Sequence, residues 1–166
     1  MNKCIVADSQ KCIGCHACEI ACVVAHNDHH WPHDSRDYAP RIRVMFKESD
    51  SLAVTCRQCE DSPCAAACPV DALYVADNIV KLDQEKCIGC KSCVLVCPFG
   101  AMEMVMTFDH SHELAQKCDL CDTTGGSPAC VANCPTSALS ILDEHKLVIL
   151  RNDRLMRAAT GAYNQA

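Results

Sequence analysis

Residues 87–98 carry the feature that most constrains this chain, four cysteines with the spacing C-x2-C-x2-C-x3-C-P. Cys87, Cys90 and Cys93 fall on a tight loop, where Gly89 lets the backbone turn without a penalty from a Cβ atom. Cys97 follows about one helical turn later and is therefore expected to point elsewhere. The proline after it then ends that short helix. The run predicts three ligands for one metal centre and a fourth ligand for another.

Three more runs of four cysteines occur in the chain, which has seventeen cysteines among 166 residues. Residues 12–22 repeat the first spacing, although Val23 stands where the proline would be. Residues 56–69 read C-x2-C-x4-C-x3-C-P, and residues 118–135 read C-x2-C-x8-C-x3-C-P. Sixteen cysteines thus form four groups of four, and Cys4 is left over as a small buried strand residue.

Iron–sulfur clusters of the [4Fe–4S] type explain this spacing best, because bacterial two-cluster proteins use such runs and bond the fourth cysteine to the other cluster. Zinc is the main alternative, but zinc sites use separated C-x2-C knuckles or mix cysteine with histidine. A disulfide scaffold fits less well, because the sequence shows no export signal at its start. We therefore predict four [4Fe–4S] clusters, which would also supply folding energy to a chain with only seven aromatic residues.

The charge of the chain argues against nucleic acid as a partner. The formal net charge is −6 with neutral cysteines, and four thiolate-bound clusters would take it to about −14. Such a surface repels a phosphate backbone. No apolar run is long enough to span a membrane, and no catalytic triad, phosphate-binding loop or dinucleotide motif is present. We expect a soluble cytoplasmic chain that carries electrons while another subunit performs the catalysis.

Short strands and helices are predicted between the cysteine runs, which makes the fold class α+β. The expected elements are strands at 3–8, 41–46, 52–55 and 101–107, hairpins at 69–83 and 138–150, and a helix from about 18 to 26. The sequence C-P-x-x-A-[LM] begins at Cys68, Cys97 and Cys134, and each copy leads into a strand. This internal repeat indicates related units.

Two groups of residues allow two interpretations each. One loop contains four histidines that are either exposed loop residues or a further metal site, namely His26, His29, His30 and His33. A lysine precedes three of the runs, at Lys11, Lys86 and Lys117. Each lysine is either a solvated loop residue or a charge beside a cluster that favours the more negative, reduced form of that cluster.

The four runs in this order, with a long loop in the fourth, resemble the four-cluster electron-transfer subunits of molybdopterin oxidoreductases, of the formate dehydrogenase and formate hydrogenlyase type. The likeness covers about residues 1–150, and the motifs at 12–19, 56–64 and 117–121 carry it. The resemblance implies two ferredoxin-like two-cluster modules related by a pseudo-twofold. Residues 51–107 would be one module, inserted into the module of residues 1–50 and 108–150. Residues 151–166 would form a C-terminal tail, a candidate docking helix.

The resemblance also implies that the runs pair crosswise, with the last cysteine of each run serving the cluster of another run. Four ligand sets follow. Set 1 is Cys12, Cys15, Cys18 and Cys134; set 2 is Cys118, Cys121, Cys130 and Cys22; set 3 is Cys56, Cys59, Cys64 and Cys97; set 4 is Cys87, Cys90, Cys93 and Cys68.

The function implied by the resemblance is electron relay through four clusters between a catalytic subunit and a second redox partner. The implied catalytic partner is a large molybdenum or tungsten molybdopterin subunit, foremost a formate dehydrogenase. A hydrogenase, a flavin subunit or further iron–sulfur subunits are candidates for the second partner. Two alternatives stay open, a free diffusible polyferredoxin and a zinc-binding interaction module. Visible absorption would separate zinc from iron–sulfur clusters, and co-purification of a large subunit would separate a complex from a free carrier.

Overall fold

The computed structural model describes residues 2–34, 37–48, 50–107 and 111–160, and these residues form a small α+β fold. The strands in this part of the chain are β1 Cys4–Ala7, β2 Ile42–Lys47, β3 Asp50–Thr55, β4 Leu73–Ala76, β5 Ile79–Leu82, β6 Glu103–Met106, β7 Glu113–Gln116 and β8 Leu139–Leu142. The α-helices are α1 Ala17–Ala25, α2 Pro63–Ala66, α3 Ser92–Val96, α4 Ala129–Ala132 and α5 Glu144–Ala159. A 3-10 turn covers Asp122–Thr124.

The strands pair into antiparallel two-stranded sheets, in the order β1–β8, β2–β3, β4–β5 and β6–β7. The β1–β8 pair joins distant parts of the chain, with Cys4 opposite Leu142 and Ala7 opposite Leu139. Helix α1 packs against α4, and α2 packs against α3. The pairing therefore brings the first cysteine run beside the fourth, and the second beside the third.

Two apolar cores hold these elements together, and both contain cysteines. The first core is built around Ile5 and Ile42, which are almost fully buried, together with residues from both the early and the late part of the chain. The second core lies between residues 64 and 115 and includes Leu73, Val80 and Met102. Because cysteines occupy positions in both cores, a metal bound to them would add to the stability that packing supplies.

Gln58 connects the two cores. Its side chain is buried, donates a hydrogen bond to the Cys118 carbonyl at 2.7 Å and accepts one from the Val80 N–H at 2.9 Å. An ion pair adds a second connection, because Arg43 on β2 binds Glu103 on β6 through two hydrogen bonds of 2.6 and 2.7 Å. The loops of the second and fourth cysteine runs are thereby fixed relative to each other.

Most of the predicted elements are confirmed, with bounds that differ by up to four residues. The hairpin at 138–150 is wrong in its second half: β8 pairs with β1, and residues 146–150 lie inside α5. The reason is local, since the Asp143 side chain accepts a hydrogen bond from the Lys146 N–H at 2.9 Å and caps a helix whose first turn holds Glu144. Strand β7 was not predicted, and residues 108–110, which precede it in the chain, lie outside the described ranges.

Helix α5 also accounts for the first part of the predicted tail, whose residues 161–166 lie outside the described ranges. Among the described residues, no helix has the length and apolar character that a bilayer crossing requires.

Candidate metal centres

Each of the four C-x2-C loops contains one residue with left-handed backbone geometry, immediately before the second cysteine. These residues are Gly14 (φ 67°), Gln58 (φ 50°), Gly89 (φ 66°) and Leu120 (φ 59°). The N–H groups of Gln58 and Leu120 each lie 3.4 Å from the Sγ atom of the first cysteine in their own loop. The left-handed conformation costs about 1 kcal/mol or more for a residue with a side chain. Its presence in all four loops therefore indicates that each loop requires the same backbone geometry.

The C-P-x-x-A repeat has a clear structural role around its cysteine sulfur. In each of the three copies the alanine N–H donates to the Sγ atom of the cysteine four residues earlier. The bonds are Ala72 to Cys68 at 3.3 Å, Ala101 to Cys97 at 3.4 Å and Ala138 to Cys134 at 3.3 Å. Hydrogen bonds to sulfur are one of the means by which a protein tunes an iron–sulfur cluster. The repeat is visible in the sequence, and the position of its alanine marks the residue whose backbone N–H is the donor.

Sets 1 and 4 each line a cavity. Cys12, Cys15, Cys18 and Cys134 line a small cavity of about 20 Å³, together with Val44, Ala53 and Leu139. A matching cavity of about 20 Å³ is lined by Cys68, Cys87, Cys90 and Cys93, together with Leu73, Leu82 and Met104. In both cavities three cysteines come from one loop, and the fourth precedes a proline in a distant run.

The four thiols of set 2 are neighbours, and Cys22, Cys118 and Cys130 belong to the first core. Burial raises the pKa of the Cys130 thiol, and the charges of Cys118, Cys22 and Cys121 raise it further. Burial likewise raises the pKa of Cys22 to about 12. All four members of set 2 are buried.

The thiols of set 3 are neighbours as well. Burial raises the pKa of Cys56, and repulsion from Cys64 and Cys59 adds to the shift. Burial also raises the pKa of Cys64, where Cys97 contributes in the same direction. The structure thus brings the members of every predicted set together, while their bonding to a common metal centre stays a prediction.

The arrangement fits [4Fe–4S] clusters. Buried thiols with raised pKa values stay protonated on their own, and a bound cation would favour the thiolates by offsetting their charge. All seventeen cysteines are free of disulfide bonds. Within the described ranges, no three His, Cys, Asp or Glu side chains converge closely enough to hold a single metal ion. A tetrahedral zinc would need its thiolates about 2.3 Å from one point.

The four histidines do not form a second metal site in the described part of the chain. His29, His30 and His33 are exposed. His26 is partly buried, and its Nε2 atom lies 3.0 Å from Asp119 Oδ1. Burial alone would raise the pKa of Asp119, but hydrogen bonds from His26 and Thr123 and the nearby Arg41 charge hold it well below its usual range. This network fixes the loop of set 2, a structural role that the sequence did not indicate.

The three lysines before the runs differ from one another. Lys11 is exposed and pairs with Asp8 at 3.4 Å. Lys86 is also exposed and pairs with Asp83 at 3.1 Å. Lys117 is buried and bonds to main-chain carbonyl oxygens. The solvated interpretation is therefore right for the first two residues and wrong for Lys117.

Comparisons with known proteins agree with these observations. Residues 48–144 match the family model described as a 4Fe-4S dicluster domain. Electron transport protein HydN of Escherichia coli K12 is 42% identical over 96% of this chain and 98% of its own length. Formate hydrogenlyase subunit 2 of the same strain is 38% identical over 86% of this chain and 83% of its own length.

A longer relative, UacF of Escherichia coli K12, is 48% identical over 97% of this chain, which spans 24% of that protein. The chain therefore corresponds to about a quarter of that relative and to nearly the whole of HydN. The spacing of the cysteines, their grouping in the structure and these matches lead to one conclusion. The chain belongs to the 4Fe-4S dicluster domain family of iron–sulfur electron-transfer proteins.

Proposed function

We propose that this chain relays electrons one at a time through four [4Fe–4S] clusters held by sets 1 to 4, in that spatial order. The observation that supports this most directly is the packing of successive sets in shared cores. The first core contains Cys18 of set 1 and Cys56 of set 3 together with Cys22, Cys118 and Cys130 of set 2. Sets 3 and 4 share the second core through Cys64 and Cys93.

The two ends of this series are the accessible ones. Cys15 in set 1 and Cys90 in set 4 are exposed, whereas every thiol of set 2 is buried. An electron would therefore enter at one end and leave at the other, while the interior is shielded from water. Exposed set 1 and set 4 would face the two redox partners.

The residues of the chain have three tasks in such a relay. When bound, each cluster supplies a site that accepts and releases one electron. The cysteine loops hold these sites at fixed positions, so little rearrangement accompanies each transfer. The N–H donors, such as Ala72 and Ala138, stabilise negative charge on sulfur. The apolar walls of the cavities around sets 1 and 4 limit the access of water.

The proposed architecture is a pair of ferredoxin-like modules related by a pseudo-twofold. Residues 51–107 would form one module, inserted into the module of residues 1–50 and 108–150, with residues 151–166 as a tail. The two cores support this division, because one combines early and late residues and the other lies between 64 and 115. Cys56 and Gln58 would then belong to the boundary, since Cys56 lies in the first core.

The proposed partners are a large molybdenum or tungsten subunit, foremost a formate dehydrogenase, and a second redox subunit such as a hydrogenase or flavoprotein. The name of formate hydrogenlyase subunit 2 supports the first choice. We assign no catalytic site to this chain and place the reaction on the large subunit. A cytoplasmic location suits a protein whose cysteines must stay reduced.

Anaerobic purification of the chain from its native source, followed by identification of bound proteins, tests this proposal. We expect a molybdopterin-containing subunit to co-purify and to reduce the clusters when its substrate is added. A chain that purifies alone, yet is reduced and reoxidised by several soluble enzymes, would instead be a free polyferredoxin. A colourless chain that contains zinc would contradict the relay altogether.

A further inference from the structure

Lys117 is a buried lysine whose charge is not neutralised by a carboxylate in the described part of the chain. Only 3% of the residue is exposed. Its Nζ atom donates to the carbonyl oxygens of Val80 and, at 2.7 Å, of Cys118. None of the ion pairs among the described residues includes it. A buried ammonium without a counter-charge is strongly unfavourable, so its location needs an explanation.

The acidic residues near Lys117 do not supply that counter-charge. Five line the two cavities beside it, and one of them, Glu85, is exposed. Each of the other four already pairs with a different cation. The pairs are Asp119 with Arg41 at 2.8 Å, Glu103 with Arg43 at 2.6 Å, Asp122 with Lys81 at 3.0 Å and Asp83 with Lys86 at 3.1 Å.

Lys117 instead lies beside the cysteine loops of two sets. Its Nζ atom donates to the carbonyl oxygen of Cys118, a member of set 2. The side chain of Gln58, which stands between Cys56 and Cys59 of set 3, donates to the same carbonyl oxygen at 2.7 Å and accepts from the N–H of Val80, whose own carbonyl oxygen Lys117 binds. The ammonium group therefore lies where the loops of set 2 and set 3 meet.

We propose that Lys117 is a fixed positive charge that raises the reduction potentials of the clusters held by sets 2 and 3. The inference rests on the proposed function, because it requires that both sets hold clusters. A one-electron transfer from the upstream redox partner adds one negative charge to a set, and a later transfer to the downstream partner removes it. Lys117 contributes its positive charge and transfers no atom or electron. Its charge stabilises the reduced form more than the oxidised form.

This role differs from that of a general structural anchor, because it predicts an effect on only two of the four centres. Sets 1 and 4 lie beyond the direct contacts of Lys117. At a distance of several ångströms and an effective dielectric constant of about 20, loss of one charge should change the reduced-to-oxidised ratio at fixed ambient potential by about tenfold or more. The two interior sites would then become harder to reduce than they are in the unmodified chain.

The test compares substitutions at Lys117 in the full-length, cluster-loaded chain. Lys117→Gln is the decisive variant, since it keeps a donor for the two carbonyl oxygens and removes the charge. Lys117→Arg keeps the charge. Lys11→Gln and Lys86→Gln are matched controls, because both lysines also precede a run but are exposed and paired. Each protein is titrated anaerobically with dithionite and mediators, and the clusters are followed by electron paramagnetic resonance.

We expect two of the four centres to become harder to reduce in Lys117→Gln, with unchanged potentials in Lys117→Arg and in both controls. Unshifted potentials in Lys117→Gln, an equal shift of all four centres, or equal shifts in the controls would overturn the inference. Loss of iron from Lys117→Gln would also overturn it, because the residue would then be an anchor. Fewer than four reducible clusters in the unmodified chain would instead contradict the proposed function.

Discussion

The backbone N–H of Arg41 lies 3.3 Å from the Sγ atom of Cys22, although the two residues are nineteen positions apart. Cys22 is the last cysteine of the one run that lacks a proline after it. In the other three runs the donor is an alanine four residues after the cysteine. A residue immediately before β2 therefore supplies the hydrogen bond that the local turn cannot provide. The last cysteine of each of the four runs thus receives a backbone N–H.

Gly89 should be far less tolerant of substitution than Gly100. Both have a left-handed backbone, but a Cβ atom at Gly89 would lie 2.5 Å from the Glu113 carbonyl oxygen, whereas none would be within 4 Å at Gly100. Gly89→Ala must displace β7, whose Ala115 N–H donates to Cys87. Gly100→Ala should cost only roughly 1–2 kcal/mol. Iron content and thermal midpoint measured on both variants should fall clearly for Gly89→Ala alone. Equal effects would contradict the proposed contact.

Cys97→Ser should disturb the cluster of set 3 and spare the cluster of set 4, since the last cysteine of such a run serves another cluster. Cys59→Ser and Cys90→Ser provide reference spectra for the loss of a ligand in set 3 and in set 4. Cys4→Ser is the matched control, because Cys4 is buried but outside every set. Paramagnetic resonance of the reduced proteins makes the comparison. A Cys97→Ser spectrum that reproduces that of Cys90→Ser would show that the pairing is wrong.

Gln58→Leu should destabilise the cluster-loaded protein without preventing the loop from forming. Leu120 occupies the equivalent left-handed position in another loop, so leucine itself is tolerated there. The buried Val80 N–H would lose its partner, and the Cys118 carbonyl would keep only the bond from Lys117, at a cost of about 1–3 kcal/mol in the free energy of unfolding. The apparent thermal midpoint should fall by roughly 3–10 °C. Gln10→Leu, at an exposed position, should leave it unchanged. A midpoint for Gln58→Leu equal to that of the control would contradict the bridging role.

Deletion of residues 151–166 should leave the iron content intact and weaken co-purification with the partner. No residue of α5 is buried, and Leu155 and Met156 are 57% and 64% exposed. The helix therefore encloses no cluster, and its apolar residues are available to a partner. A milder variant, Leu155→Ser with Met156→Ser, should weaken the association in the same direction. If the shortened chain binds its partner as tightly as the full chain, the tail is not a docking element.

The sequence was most informative where one run determines both local turns and ligands. The spacing around Gly89 and Cys97 predicts the loop and the short helix after it, and both are present. It was less informative where contacts between distant residues determine the structure. The pairing of β1 with β8 has no local signal, and the cap at Asp143 turned an expected strand into a helix.

Residues in equivalent sequence positions also proved to differ in their surroundings. Lys11, Lys86 and Lys117 each precede a run, yet only Lys117 is buried. Its burial depends on β5 and on the packing of the two cores against each other. The alternation of polar and apolar residues does not encode such long-range packing. The Arg41 donor to Cys22 was hidden for the same reason, since no motif connects the two positions.

The iron and acid-labile sulfide content of the anaerobically purified chain tests the central claim most directly. Four complete ligand sets predict about sixteen iron and about sixteen sulfide per chain, four of each for every [4Fe–4S] cluster. The measurement should be made after full reconstitution, with protein concentration from amino-acid analysis. A reproducible content of about eight of each, as in a two-cluster protein, or of about twelve would contradict the four-cluster account.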